Sequence, residues 1–317
     1  MRAVVTGGAG FIGSNLVDAL IARGDEVTAC DSLVAGRREN LAGALAAGGR
    51  LETIDVCDGA GLGRVFDELK PEVVFHLAAQ VDVRRSVEDP AADARTNIEG
   101  TINALQAART SGARRLVLAS TGGAIYGDAD TIPTPESAPE RPLAPYGQAK
   151  LAAEGYCRMW SELCGLTTAA LRLANVYGPR QDPAGEGGVV AIFCGRLRAG
   201  MPLLIYGDGS QTRDFVYVGD VVDAMLRAGD ANGHRDQRNP APPLNIGAGR
   251  ETSVLQLAAA CREVAGAPEL PPPLHVRARP GEVHRSCLDA GAARAGLGWT
   301  ASTPLWDGLA ATYAALA

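Results

Sequence analysis

Thr6-Gly7-Gly8-Ala9-Gly10-Phe11-Ile12-Gly13 sets glycines at 7, 10 and 13 between a short apolar strand, Arg2–Thr6, and a segment with helical periodicity over residues 11–23. Each glycine does a different job in such a turn. The first permits the tight reversal, the second lets the backbone approach a pyrophosphate, and the third lets the helix pack closely on the sheet. The start of the helix then offers unbonded N–H groups and the positive end of its dipole to phosphate oxygens. Strand, glycine turn and helix in that order predict the first unit of a dinucleotide-binding α/β fold.

The rhythm continues outward. Apolar strand-like runs recur at 26–30, 51–54, 72–76, 115–120 and 167–173, and helical patterns cover 91–111 and 146–164. The first of these helices opens on Asp89-Pro90, proline being tolerated in a first turn. Strands separated by helices imply a parallel sheet with crossover connections. After Gly178-Pro179 the pattern changes to a loop at 185–188, a helix at 189–199, and strands at 203–206 and 214–218. A polar, proline-rich surface loop follows at 232–243, and the prolines at 271–273 mark another break. The expected fold is α/β, a Rossmann-type doubly wound parallel sheet with a smaller α+β substrate-binding cap. The expected domains interleave: 1–178 with 215–248 for the dinucleotide, and 179–214 with 249–317 for the substrate.

Composition narrows the class. The 317 residues are 46% hydrophobic and 21% charged, ordinary values for a soluble enzyme. A net charge of -6 argues against nucleic-acid binding, so any phosphate-bearing ligand must be held by local groups. The apolar run at the start is too short and strand-like for a signal peptide, and no stretch is long enough to span a bilayer. Seven scattered cysteines without a CxxC pair read as free thiols in a reducing compartment rather than disulfides or a metal site. The expected location is the cytoplasm. Of the 30 basic residues only Lys70 and Lys150 are lysines.

Asp31 ends the second strand, where a carboxylate can accept hydrogen bonds from an adenosine ribose. Its charge would repel a 2′-phosphate and so favours NAD over NADP, while Arg37 and Arg38 nearby pull the other way. Asp55, before Val56 at the end of the third strand, could reach the adenine amine or cap its own turn. Tyr146 and Lys150 lie four residues apart and share a helix face. A lysine ammonium and the positive nicotinamide would both stabilise a phenolate, making Tyr146 a general base near neutral pH. Lysine suits that place better than arginine because it is a compact charge that can also bond a ribose hydroxyl.

These stretches, with His76–Gln80 (HLAAQ), 120–127 (STGGAIYG), 175–181 (NVYGPRQ), 206–221 (YGDGSQTRDFVYVGDV) and 279–289 (RPGEVHRSCLD), resemble the extended short-chain dehydrogenase/reductases in order over nearly the whole chain. The likeness is greatest to the UDP-hexose 4-epimerases. It implies Tyr146 as base and Lys150 as its partner, with Phe11, Ile12, Ser32, Val56, Leu77, Ala78, Ala79, Gln80 and Asn97 joining Gly7, Gly10, Gly13, Asp31 and Asp55 at the cofactor. The serine that usually supplies a third catalytic hydroxyl is replaced by Gly122. Thr121 is the first candidate for that role and Ser120 the second.

The resemblance also implies a UDP-sugar substrate and a homodimer built on the helices at 91–111 and 146–164. Guanidinium forks match phosphate oxygens, so Arg213 and Arg279 are candidates for the diphosphate, with local pairing to Asp214 and Glu282 as the alternative. Asn175, Val189, Val190, Leu204, Tyr206, Phe215 and Val254 would line the nucleotide pocket, and Glu282 would take the uridine ribose. Ser286 falls where these enzymes limit the room beside the sugar's 2-substituent, so an N-acetyl group is admissible. The expected reaction is NAD-dependent C4 epimerisation of a UDP-hexose through a transient 4-keto sugar. UDP-glucuronate and UDP-N-acetylglucosamine are alternative substrates, Arg85, Arg180, Arg196 or Thr121 being available for a C6 carboxylate. The 121–124 loop lacks the acidic residues that a dehydratase or decarboxylase would need. A catalytically inactive NAD-binding regulator is the distant alternative, and it would be expected to lose Tyr146 or Lys150.

Overall fold

The computed structural model describes residues 1–183, 188–230, 242–266, 271–278 and 283–316. Twelve strands are formed among them: β1 (Arg2–Thr6), β2 (Glu26–Asp31), β3 (Arg50–Thr53), β4 (Val73–His76), β5 (Arg115–Thr121), β6 (Thr167–Leu173), β7 (Asn175–Tyr177), β8 (Leu204–Tyr206), β9 (Thr212–Tyr217), β10 (Leu244–Ile246), β11 (Glu251–Ser253) and β12 (Leu274–Val276).

The large sheet has the order β10-β6-β5-β4-β1-β2-β3, and the pairs β3–β2, β2–β1, β1–β4 and β4–β5 run parallel. The order reverses direction between β1 and β4. Outside the carboxyl ends of the strands at such a switch point, doubly wound sheets bind their ligands. β4 and β5 are buried along their whole length, which is why their sequences run apolar instead of alternating. The fold is therefore the doubly wound α/β architecture expected from the glycine turn.

Contact density divides the chain into two compact units. The first comprises Met1–Ile125, Pro142–Arg172 and Val222–Leu244, and the second Tyr126–Arg141, Leu173–Val221 and Asn245–Ala317. Leu62, Phe66, Val74, Leu105, Leu116 and Cys157 are among the side chains of the first core. The second unit holds a three-stranded sheet, β11-β9-β7, and a two-stranded sheet, β12-β8. Its core gathers Tyr177, Phe193, Phe215, Leu257 and Leu309, with the Tyr177 and Phe215 rings edge to face at 6.5 Å.

Several elements differ from the sequence expectation. The helix expected at 91–111 has three parts: Pro90–Ala94, a π-helical turn at Arg95–Glu99, and Gly100–Ser111. The strand expected at 214–218 occupies Thr212–Tyr217 and passes directly into the helix Val218–Asp230. Helices Gly59–Leu69, Val83–Glu88, Val254–Val264 and Leu305–Ala314 are additional, the first two capped by Asp58 and Asp82 and the third by a Ser253–Gln256 capping box. The loops expected at 185–188 and 232–243 lie almost entirely outside the described residues.

Candidate active site

In the first unit the glycine turn follows β1, as the sequence requires. Gly7 has φ +69, and a Cβ there would stand 2.7 Å from the backbone nitrogen of Ala78. A Cβ on Gly13 would strike the Gly7 carbonyl, so this residue sets the close seating of the helix Phe11–Ala22. That helix begins at Gly10 with no side-chain cap and no acidic residue in its first turn. Its first amides thus face outward with the dipole's positive end behind them, a fit for the pyrophosphate of a dinucleotide.

Asp31 is buried at the end of β2. Its Oδ2 accepts the Ala9 amide at 2.9 Å and its Oδ1 the Leu33 amide at 2.8 Å, so the carboxylate pins the turn and keeps one further lone pair on each oxygen. The loop crosses close above it, since a Cβ on Gly36 would lie 2.6 Å from Oδ1. Ser32, Arg37 and Arg38 are exposed. Asp55 Oδ1 accepts the Cys57 amide at 2.8 Å, the local turn role its position allowed. Val56 packs into the core beneath.

The Leu77–Gln80 loop, after β4, is held from two sides. Leu77 N donates to Thr6 O at 3.0 Å, and Gln80 N donates to Asn97 Oδ1 at 3.0 Å, while Asn97 Nδ2 returns a bond to Gln80 O at 2.9 Å. Asn97, in the π-helical turn, therefore braces the loop that carries Ala78 and Ala79. His76 is sandwiched between the hydroxyls of Thr6 (2.7 Å) and Thr101 (3.1 Å). Burial pushes its imidazole down to about 3, with the Lys150 charge adding to the effect, so it stays neutral.

Tyr146 and Lys150 occupy the helix Pro145–Cys164, one turn apart. The Thr121 side chain, at the end of β5, acts on the Tyr146 phenol and lowers it. Ser120 is engaged elsewhere: its Oγ donates to Glu154 Oε1 at 2.5 Å. Lys150 is buried and donates to Ala119 O at 3.0 Å. Desolvation of the phenol pushes Tyr146 up to about 12; the Thr121 contact lowers it and the charge of Asp93 raises it. Burial pushes Lys150 down to about 8, opposed first by Asp93. The lysine charge expected to bring Tyr146 toward neutrality does not do so in the protein alone. Burial dominates the phenol, and the groups that act on it besides are Thr121 and Asp93.

Residues in the second unit can be placed in the same way. Arg213 lies on β9 and donates from Nη1 to Thr212 O at 2.8 Å. Its neighbour Asp214 is fully buried and accepts the amides of Ala248, Gly249 and Leu288, tying three segments together. Val190, Phe215 and Val254 are packed in the unit's core, whereas Asn175 is exposed and Val189, Leu204 and Tyr206 are half-buried. Ser286 is half-buried, and its amide reaches Thr212 O at 3.3 Å. Next to it, Arg285 makes a double hydrogen-bonded pair with Glu251 (2.9 and 2.6 Å). Arg279 and Glu282 lie outside the described residues. Of the three arginines considered for a sugar carboxylate, Arg196 donates to Pro202 O at 2.6 Å, Arg85 is exposed, and Arg180 holds φ +73. All seven cysteines are free, and no group of metal-binding side chains occurs among the described residues.

Residues 3–247 match the family model described as the NAD dependent epimerase/dehydratase family. The chain belongs to this family. The UDP-glucose 4-epimerase of Mycolicibacterium smegmatis is 46% identical over 98% of this chain and 97% of its own length. Among solved structures, the UDP-glucose 4-epimerase of Thermotoga maritima with UDP-glucose superposes at TM-score 0.93, with 42% identity over 100% of this chain and 98% of that one. The UDP-glucose 4-epimerase of Thermus thermophilus in complex with NAD gives 0.89, with 40% identity over 99% and 98%.

Membership in the NAD-dependent family agrees with the uncapped helix start, the glycine cradle and the carboxylate of Asp31 in place of a cation. Sequence reasoning missed three residues of this site: Asp93, Glu154 and Arg172. Asp93 stands four residues before Asn97 and Glu154 four after Lys150, helical spacings that put each beside a residue already singled out.

The contrast between the two hydroxyls gives a direct test. Thr121→Ala should lower turnover about 10²-fold, as expected when a hydrogen bond to the reacting group is lost. Ser120→Ala should leave most activity and instead reduce stability by about 1.5–3 kcal/mol, the worth of a bond to a charged acceptor. Steady-state rates and urea midpoints of both variants decide it; the opposite ranking in rate would give the catalytic hydroxyl to Ser120.

Proposed function

We propose that the protein is a UDP-glucose 4-epimerase, interconverting UDP-glucose and UDP-galactose. The observation that carries this is the Thr121–Tyr146–Lys150 group assembled in the same unit as the glycine turn, in a chain 46% identical to a UDP-glucose 4-epimerase. Tyr146 is the base that takes the proton of the sugar 4-hydroxyl, with Thr121 bonding the phenol and the buried Lys150 contributing positive charge. NAD held at the glycine turn would supply reversible hydride transfer at the sugar C4. The protein's own contribution is position and charge. Asp31 takes the adenosine ribose and the first amides of Phe11–Ala22 the pyrophosphate.

In this reading Arg213 and Arg279 hold the substrate diphosphate and Glu282 its ribose. In the same reading the chain pairs with a second copy of itself through the helices at 91–111 and 146–164. None of the described helices is long and apolar enough to cross a membrane, and the reaction is assigned to the cytoplasm. Purified protein given UDP-galactose should form UDP-glucose, and the reverse, with the two resolved by chromatography. Absence of interconversion in both directions would reject the function.

Ser286 sets substrate breadth. A serine leaves space for an N-acetyl group, so UDP-N-acetylglucosamine should also turn over. Ser286→Tyr should abolish that activity while sparing UDP-glucose, because a packed site has no volume for an extra ring. Equal losses for both sugars would make Ser286 a packing residue.

A further inference from the structure

Asp93 is a carboxylate with no role in the reading above, and its setting is unusual. It lies in the short helix Pro90–Ala94, directly before the π-helical turn Arg95–Glu99, and is only 1% exposed. π-Turns inside helices recur at functional sites. Oδ1 accepts Gln80 Nε2 at 2.8 Å and Asn97 Nδ2 at 2.9 Å. Oδ2 is buried without any hydrogen-bond partner in the protein. Such an atom costs free energy unless something offsets it. Burial pushes the Asp93 carboxyl above its ordinary value, and the bonds from Gln80 and Asn97 and the Lys150 charge act against that; its charge in turn acts on the Lys150 ammonium and on the Tyr146 phenol.

The other groups around Lys150 cannot supply the same charge. Glu154, one turn along the same helix, is already answered by the guanidinium of Arg172, with Nη2 to Oε2 at 2.7 Å. Cys157, also on that helix, is pushed up to about 12 by burial and stays a neutral thiol. His76 on β4 is neutral, and β5 presents the Ala119 carbonyl and the Thr121 hydroxyl, which carry no charge. Asp93 is thus the one anion among these neighbours whose charge no cation other than Lys150 balances.

We propose that Asp93 is a positioning residue that acts as the fixed counter-charge of the Tyr146–Lys150 pair, keeping the buried Lys150 an ammonium and opposing early loss of the Tyr146 proton. The proposal rests on that pair being the catalytic one. Its two effects have the same sign in pH. An anion makes it harder for the ammonium and for the phenol alike to lose a proton, so removing it moves both ionisations to lower pH. The amide bonds from Gln80 and Asn97 fix where the charge sits and link it to the Leu77–Gln80 loop.

Asp93→Asn removes the charge and keeps an oxygen for the two amide donors; Asp93→Ser removes the charge in a smaller side chain; Asp93→Glu retains it. In the neutral variants both limbs of the bell-shaped pH profile of kcat should move to lower pH, by about one pH unit each. Asp93→Glu should keep both limbs near their original places. The second measurement is the near-ultraviolet phenolate band of the protein free of cofactor, with Tyr146→Phe subtracted to isolate Tyr146. Its midpoint should be lower in Asp93→Asn than in the parent. Limbs that stay in place while the rate falls, limbs that move in opposite directions, or an unmoved Tyr146 midpoint would overturn the proposal. Undiminished turnover by Tyr146→Phe would show instead that the pair itself is misassigned.

Discussion

Tyr146→Phe is expected to lower turnover by about 10²-fold or more while leaving NAD bound. The ring keeps its place on the helix Pro145–Cys164, and neither the glycine turn nor Asp31 is touched. What disappears is the phenol oxygen on which Thr121 acts. The size of the effect follows from the site's electrostatics. Burial pushes Tyr146 up to about 12 in the protein alone and Thr121 lowers it; a positive cofactor ring beside the phenol would lower it further. Removing the oxygen therefore removes the group on which these contributions converge. Turnover is measured with UDP-galactose and cofactor retention by absorbance of the released nucleotide. Near-normal turnover would move the base elsewhere; loss of NAD along with activity would mean that the substitution damaged the cofactor site.

Arg172→Met is expected to destabilise the fold by about 3–5 kcal/mol, the cost of leaving a buried ion without its partner. Arg172 is 1% exposed and grips Glu154 with Nε at 3.0 and 3.2 Å and Nη2 at 2.7 Å. Glu154 also accepts the Ser120 hydroxyl, so one carboxylate ties β6 and the Tyr146 helix to the end of β5. Those are the elements that carry Thr121, Tyr146 and Lys150. In Arg172→Met the Glu154 charge stays buried and unpaired, and the urea midpoint falls. The double variant Arg172→Met/Glu154→Leu replaces the pair by apolar groups and should recover much of the loss, because the penalty comes from the unpaired charge. If the double variant were no better than the single one, the arginine would be stabilising through packing.

The glycine turn and the Tyr146–Lys150 pair were legible because their spacing is local. Gly7, Gly10 and Gly13 lie within one turn, and Tyr146 and Lys150 within one helical repeat, so short-range geometry decides what they can do. Asp93 was not legible. Asn97 lies one helical turn away, but Gln80 and Lys150 meet Asp93 only after the chain has folded back, and the π-helical turn that presents Asn97 has no simple apolar period. The same holds for Glu154, whose partner Arg172 arrives from the next strand. Asp214 resembled a surface partner for Arg213, yet it is buried and collects amides from residues 248, 249 and 288, which sequence adjacency cannot reveal. The helix Val218–Asp230 was hidden because it follows β9 without an intervening turn residue. β10 is three residues long, too short to show a period. Thr121 could be ranked above Ser120 only by comparison with a motif; the physical basis for the ranking is that Glu154 occupies Ser120 while Thr121 touches the phenol.

The central claim is that inversion at C4 proceeds by removal and return of one hydride within a single site. The most direct measurement uses UDP-galactose carrying deuterium at C4, converted by the purified protein in ordinary water and followed by mass spectrometry and NMR of the product. The account expects UDP-glucose that retains the deuterium at C4. Loss of the label to solvent would contradict it, because the C4 hydrogen would then leave as a proton and Tyr146 would be acting on carbon instead of on the hydroxyl.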